Sequence, residues 1–317
     1  MKKLVLTLIL ILSIFSSQST LAWNSTGHQL VASIAWDNMT PKARQNVIAL
    51  LMKAPNDACL KELFSNDSRP LAVRQREFFI KVATWPDLVR PRKSKNGRKD
   101  TRPCIKYHQR DWHFVDHFWK GLSGSATNPP TDLSTPPIAD INAVERLQLF
   151  KNVVVGNTPA SERAIDLAWI LHLVGDIHQP LHTSGRVTSA PGEATGDQGG
   201  NLFKLADDFP LHSFWDDIVD ETILKKKSES LGKYLDRVAA QFEADFPQSS
   251  FSDLESAQFD QWALESLEKA KDTAYPASLK RKQNPSATYK SAVFKVSEES
   301  IADGGYRLAD LLNKLFG

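Results

Sequence analysis

The sequence predicts an all-α fold, a single mainly helical domain. Apolar residues recur at helical spacing along most of the chain, whereas alternating Val, Ile and Thr runs bounded by tight turns are scarce, which leaves little material for an extensive sheet. No low-complexity linker or internal repeat divides the 317 residues, and an apolar content of 41% is enough for a sizeable core.

Residues 1–22 read as a signal peptide rather than as part of the fold. Lys2 and Lys3 precede an apolar stretch, Leu4 to Phe15, that ends in small residues before Ala22. This stretch is too short for a transmembrane helix, and no later segment is long and apolar enough to span a bilayer. The expected product is therefore soluble, secreted or periplasmic, and begins at Trp23, with residues 23–317 forming the domain. Removing Lys2 and Lys3 from 39 Lys and Arg leaves a balance against 37 Asp and Glu, a formal charge of zero. Global charge gives no argument for a nucleic-acid binder, so attraction for phosphate has to come from a local patch or from bound metal.

Along the mature chain, Thr40 and Pro41 look like a cap and a first helical residue, opening a helix through Leu50 and Leu51. Similar patterns run from Leu71 to Trp85, Ala139 to Val155, Ser161 to Asp176, Ser228 to Phe246, Leu254 to Thr273, and Tyr289 to Phe316 with an interruption at Gly304-Gly305. Cys59 and Cys104 are compatible with one disulfide in an oxidising compartment, or with two buried thiols.

The chemistry is concentrated in residue types that bind metals: Trp23 at the expected cleavage site, then His28, Asp87, His113, His172, Asp176, His182, His212 and Asp216. In LAWILHLVGDIHQPLH, starting at Leu167, His172 and Asp176 share a helical face with Ile165 and Trp169. A carboxylate buried there needs a partner, and either a cation or a hydrogen-bonded core pair satisfies it. Pro180 ends the helix, leaving His182 on the exit loop, while His178 lies about 240° around from His172 and reads as supporting or structural. A second i,i+4 pair, His212 and Asp216 in LHSFWDD, favours the cation, with Asp217 out of phase. Asp87 follows a Trp-Pro helix stop, and His113 lies between aromatics; neither stands out alone.

Taken in order, WNSTGH, WPDLVR, WHFVD, HLVGDIHQPLH, GGN, HSFWDD and GGYRLADLLN resemble the zinc-dependent single-strand nucleases called the S-one/P-one family, whose fold is shared with bacterial zinc phospholipase C. The resemblance covers nearly the whole mature chain. It implies three zinc ions in a cleft: one on Asp87, His113 and His172, a second sharing Asp176 and completed by His28 and the α-amino and carbonyl groups of Trp23, and a third on His182, His212 and Asp216. An α-amino group has a pKa near 8 and is readily displaced to its neutral form, whereas an internal amide nitrogen is a poor ligand, so signal removal would complete the site.

The resemblance further implies hydrolysis of single-stranded DNA and RNA to 5′-phosphorylated products, with 3′-nucleotides also as substrates. Asp87 and Asp176 hold the catalytic ions, and Arg90 matches a basic family position beside the phosphate. Phe114, Asp116 and Asn201 match the base pocket: a ring to stack on, an acceptor, and a donor with an acceptor. Between Arg90 and Arg110 lie nine Lys or Arg, ends included, and one acid, Asp100; the run is either a solvated loop or a guide for a phosphate backbone. The stretch Arg186 to Asp197 is longer than the family usually carries before Gly199-Gly200-Asn201. His108 and His117 take no metal role, no protein partner is implied, and a monomer is expected. The rival readings are a phospholipase C acting on phospholipid and a non-catalytic exported metal-binding protein.

Overall fold

The computed structural model describes residues 23–92, 99–252, 254 and 257–317. The expected signal peptide and the middle of the basic run, residues 93–98, lie outside the described residues. The described chain is mainly helical, as expected, and no helix in it is long and apolar enough to cross a membrane.

The first helix, α1 (Ser25–Asn38), goes beyond the helices expected from periodicity. Its residues Thr26 to Trp36 are all buried, so it has no polar stripe against which an apolar stripe could be read. Asn24 caps it, its side-chain oxygen accepting from the N–H groups of Thr26 and Gly27. Helix α2 (Pro41–Leu51) follows the predicted cap, with the Thr40 hydroxyl accepting from Ala43 N–H at 3.1 Å. Helix α3 (Leu71–Val82) stops three residues short of the expected end. Trp85-Pro86-Asp87-Leu88 instead begins a separate helical turn, α4 (Trp85–Leu88), with proline in its first turn, where a missing N–H is tolerated. Asp87 is thus inside a turn of helix rather than after a stop.

Helices α5 (Ala143–Val153), α8 (Leu231–Asp245) and α9 (Phe259–Thr273) begin later than periodicity alone suggests. Asn142 and Ser230 supply the caps that set two of those starts. Helix α6 (Ala160–Ile177) is buried without a break from Leu167 to Ile177 and runs through the middle of the fold, packed by α5, α2, α1 and the last helix of the chain. Helix α7 (Leu211–Thr222) carries HSFWDD.

The last helix, α10 (Ala287–Phe316), corrects the expected interruption: it is continuous through Gly304 and Gly305. Those glycines allow close packing rather than a break. A Cβ on Gly305 would lie 2.6 Å from the Ile34 side chain of α1, and one on Gly304 would lie 3.2 Å from the His178 ring. Cys59 and Cys104 form the disulfide, with Cα atoms 5.7 Å apart.

One small sheet matters for the site. Strand β1 (His117–Lys120) lies between β2 (Thr131–Asp132), antiparallel, and β3 (Ser184–Arg186), parallel. The β1–β3 pairing continues upstream, with Val115 N–H donating to the His182 carbonyl at 2.8 Å and His117 N–H to the Thr183 carbonyl at 3.1 Å. These bonds fix the chain after His113 beside the chain after Pro180.

Candidate metal centre

Five segments distant in sequence meet at the C-terminal half of α6. His28 from α1 lies against α6 because residue 175 is glycine; a Cβ there would stand 2.7 Å from His28 Nδ1. The His28 and His172 rings stack with centroids 3.9 Å apart. His172 and Asp176 project from α6 one turn apart, with Nε2 to Oδ2 at 3.3 Å. His113 Nδ1 lies 3.2 Å from the same carboxylate oxygen, and His28 Nε2 lies 3.3 Å from the other. Asp87 Oδ2 approaches His172 Nε2 at 4.0 Å. Beyond Asp176, His182 and His212 face each other with Nε2 atoms 3.0 Å apart, and Asp216 Oδ2 lies 3.6 Å from His212 Nε2.

The side chains therefore fall into three groups whose donor atoms lie within 4.8 Å of one another: His28, His172 and Asp176; Asp87, His113 and His172; and His182, His212 and Asp216. Eight of the nine residues singled out in the sequence are in these groups. Trp23, the ninth, is fully buried at the foot of α1, and the next residue, Asn24, donates its N–H to the Asp216 carbonyl at 3.4 Å.

The imidazoles are held in one tautomer by the backbone. His172 Nδ1 donates to the Ala83 carbonyl at 2.7 Å, His182 Nδ1 to the His113 carbonyl at 2.6 Å, and His212 Nδ1 to the Gly199 carbonyl at 2.7 Å. With Nδ1 committed, each ring turns its Nε2 inward. His182 and His212 thereby bring their Nε2 atoms 3.0 Å apart, a spacing that a shared proton or a cation beside them satisfies.

Among the other inward atoms, both nitrogens of His28, Asp87 Oδ1 and Asp176 Oδ1 are buried without a hydrogen bond. The donor set, nitrogen and carboxylate oxygen, is one that suits zinc. These residues fit metal ions.

Electrostatics support the same reading. Burial is the first cause pushing the carboxyls of Asp176 and Asp216 well above the usual carboxylate range and that of Asp87 to about 7. Burial likewise pushes His28 and His113 well below the usual imidazole value and His172 to about 3. Without a cation the pocket favours neutral carboxyls and neutral rings; a divalent cation reverses the preference of the carboxyls and suits the neutral rings.

The pocket opens into a cleft of about 230 Å³ lined by His113, His182 and His212 together with Arg90, Phe114, Asp116 and Asn201. The structure thus brings the expected phosphate and base residues to the imidazoles. Arg90 Nη2 is 3.8 Å from Asp87 Oδ1. Burial and the nearby Asp197 raise Asp116 to about 7.

The described parts of the basic run divide. Arg102 donates to the Leu88 and Arg90 carbonyls and pairs with Asp100, so it holds the loop, while Arg110 lines the cleft with Asp111. His178 is structural: its Nδ1 donates to the Val174 carbonyl at 2.6 Å and its Nε2 meets Arg307. His108 and His117 belong to none of the groups. Asp217, as expected from its phase, turns away and accepts from Asn24.

Sequence reasoning missed Gln179, whose amide donates to Asp216 Oδ1 at 2.7 Å and fixes that carboxylate. Its only local signal was a polar side chain between His178 and Pro180. It also missed the reason for Gly199, which has φ +59°; a Cβ there would stand 2.3 Å from the Leu181 carbonyl oxygen and 3.1 Å from His212 Nδ1.

Fold and site together define a class: a mainly helical protein with clustered His and carboxylate side chains that could hold metal ions at the floor of a cleft. The family model described as S1/P1 Nuclease matches residues 23–317, and the chain belongs to that family. It is 24% identical over 224 residues to Nuclease S1 of Aspergillus oryzae, covering 68% of this chain and 61% of that protein. It is 31% identical over 166 residues to Endonuclease 3 of Arabidopsis thaliana, covering 47% of this chain and 51% of that protein. The chain thus matches between about half and three-fifths of these relatives' lengths. Among solved structures, an alpha toxin from Clostridium absonum aligns with 87% of this chain and 65% of its own at 15% identity, with a TM-score of 0.34, too weak a likeness to bear on fold or function.

Proposed function

We propose that this chain is an exported zinc-dependent phosphodiesterase that cleaves single-stranded DNA and RNA to 5′-phosphorylated products and also acts on 3′-nucleotides. One observation carries the reading: three imidazoles locked by backbone carbonyls present Nε2 beside buried carboxylates, at the floor of a cleft that also holds a guanidinium and an aromatic ring. Family membership supports it.

Three zinc ions would be held by Asp87, His113 and His172; by His28, Asp176 and the Trp23 terminus; and by His182, His212 and Asp216, with Asp176 shared. When bound, zinc supplies Lewis acidity and a water acidified towards neutral pH. The chain's own groups do the rest. Arg90 neutralises charge on the phosphate as it builds in the transition state. Phe114 stacks on a base, and Asp116 and Asn201 hydrogen-bond its edge, which requires a base free of its duplex partner. Gln179 keeps Asp216 aimed at its metal.

In this reading residues 1–22 are removed, the catalytic domain is 23–317, and the protein acts as a monomer in the periplasm or outside the cell. The test is zinc content and hydrolysis of single-stranded DNA on one preparation beginning at Trp23, with a second carrying one extra N-terminal residue. The expected result is about three zinc ions per chain and nuclease activity in the first, with loss in the second. Three zinc ions with activity on phosphatidylcholine alone would replace the substrate, and one zinc or none would overturn the trinuclear site.

A further inference from the structure

Beyond Phe114 the cleft continues into a smaller recess lined by Phe118, Ile138, Ile141 and Asn142, which shares Asp111, Phe114 and Asp116 with the main cleft. The wall of this recess is unusual in what it exposes. Ile138 is 68% and Ile141 40% exposed, both on the loop that leads into α5, and neither is part of the core. Exposed apolar side chains standing singly need no explanation, but two on one loop, rimming an opening continuous with a proposed active-site cleft, mark a place where a ligand can cover them.

The loop is pinned in place. Asn142 donates from Nδ2 to the Ile138 carbonyl at 2.7 Å while its side-chain oxygen accepts from Glu145 N–H at 3.0 Å. Arg146 holds the Asp140 carbonyl, and Ala143 N–H donates to the Phe114 carbonyl at 3.0 Å, tying the loop to the residue that separates the two hollows. On the inner side, Phe118 lies against Gly185 and Gly196, where a Cβ would stand 2.8 Å from its ring in each case. The apolar surface is therefore held open by hydrogen bonds before any ligand arrives, so little ordering entropy opposes binding.

We propose that this recess is a second nucleobase subsite, which takes the base next to the one stacked on Phe114, so that the Phe114 ring lies between two successive bases of a single strand. The proposal rests on the phosphodiesterase reading above. A base is the fitting occupant because it has two apolar faces for Ile138, Ile141 and Phe118, and because the wall shared with the main cleft, Asp111, Phe114 and Asp116, places it one step along the same strand. A mononucleotide fills only the main cleft, whereas a dinucleotide fills both.

The experiment compares kcat/KM for a dinucleotide and for a 3′-mononucleotide in wild type, Ile138→Ser and Ile141→Ser; both positions are exposed, so the variants keep their folded state, which circular dichroism checks. The expected result is a fall of about fivefold to tenfold in the dinucleotide-to-mononucleotide ratio for each variant, in line with the loss of part of one stacking contact. A ratio within twofold of an active wild type overturns the subsite and leaves the phosphodiesterase reading intact. A zinc-loaded wild type that turns over neither substrate overturns both.

Discussion

On one side of the C-terminal turn of α6, Asp176 meets four imidazoles within 3.9 Å, and among the described residues it forms no ion pair with Lys or Arg. Two residues on, His178 enters a pocket that Arg307 fills. The guanidinium contacts His178 Nε2 at 3.2 Å, Asp303 at 2.9 Å and Glu265 at 2.6 Å, and lies 5.2 Å from the Trp262 ring centroid. Both clusters bury a histidine and a carboxylate in the middle of a helical protein. In the second the compensating cation is part of the chain; in the first, on the function proposed above, it would be a bound metal ion. The difference is one of charge balance: the Arg307 cluster closes its own, whereas the Asp176 cluster has tautomers fixed by backbone carbonyls and donor atoms turned towards one another.

Asp176→Asn should break the first cluster most completely, because it removes the carboxylate that three of those imidazoles approach within 3.3 Å. The expected outcome is a fall in nuclease rate of about a thousandfold or more with reduced zinc content, read by steady-state kinetics and elemental analysis on the same sample. Stability in the zinc-free form should not fall, since the raised carboxyl is already a burden there. Unimpaired turnover would remove Asp176 from the proposed centre.

Arg307→Ala tests the second cluster. It strands Asp303 and should cost about 3–5 kcal/mol of stability by urea unfolding, while the rate per folded molecule changes little. Loss of activity without loss of stability would mean that the two clusters are one functional unit.

Gln179→Leu probes the border between them, since Gln179 belongs to the turn that joins the clusters but serves Asp216. Zinc affinity at the His182, His212 and Asp216 group should fall about tenfold to a hundredfold in a competition titration with a chelator, with the other ions retained. Equal weakening at all sites would contradict its assignment to Asp216.

The smallest effect is a proton count. Burial raises the carboxyl of Asp87 to about 7 and those of Asp176 and Asp216 well above their usual range in the metal-free pocket. At pH 6 the Asp87 carboxyl holds a proton that zinc must displace, while the His172 ring, already neutral, has none to lose. Calorimetric zinc titrations at pH 6 in buffers of different ionisation enthalpy should therefore report proton release. The sign also fixes the stability of the zinc-free protein: carboxyls with folded pKa values above their unfolded ones lose stability as pH rises from about 4 through 7. The depressed rings act in the opposite direction, adding stability as pH rises from about 3 to 6.5. Proton uptake on zinc binding would overturn the assignment.

How far the sequence reached depended on how local each signal was. Thr40 capping α2, the i,i+4 pairs in α6 and α7 and the burial of LAWILHLVGDI follow from neighbours within one or two turns, and they stand in the structure. Helix α1 escaped periodicity because it is buried on every face, and the glycines of α10 read as a break because their partner, Ile34, lies in another helix. Asp87 and His113 had no distinguishing local context; only the family pattern joined them to the others.

By itself, then, the sequence determined the candidate ligand types, their helical phase and the helices that carry two of the pairs, because those follow from 3.6-residue geometry and from the cost of burying polar groups. The tertiary structure alone decided which ring nitrogen faces inward, that Gln179 serves Asp216, and that Ile138 and Ile141 rim a recess beside Phe114. Those facts depend on backbone carbonyls and side chains brought together from distant segments to within hydrogen-bonding distance, and helix packing, rather than any local pattern, sets distances of that kind.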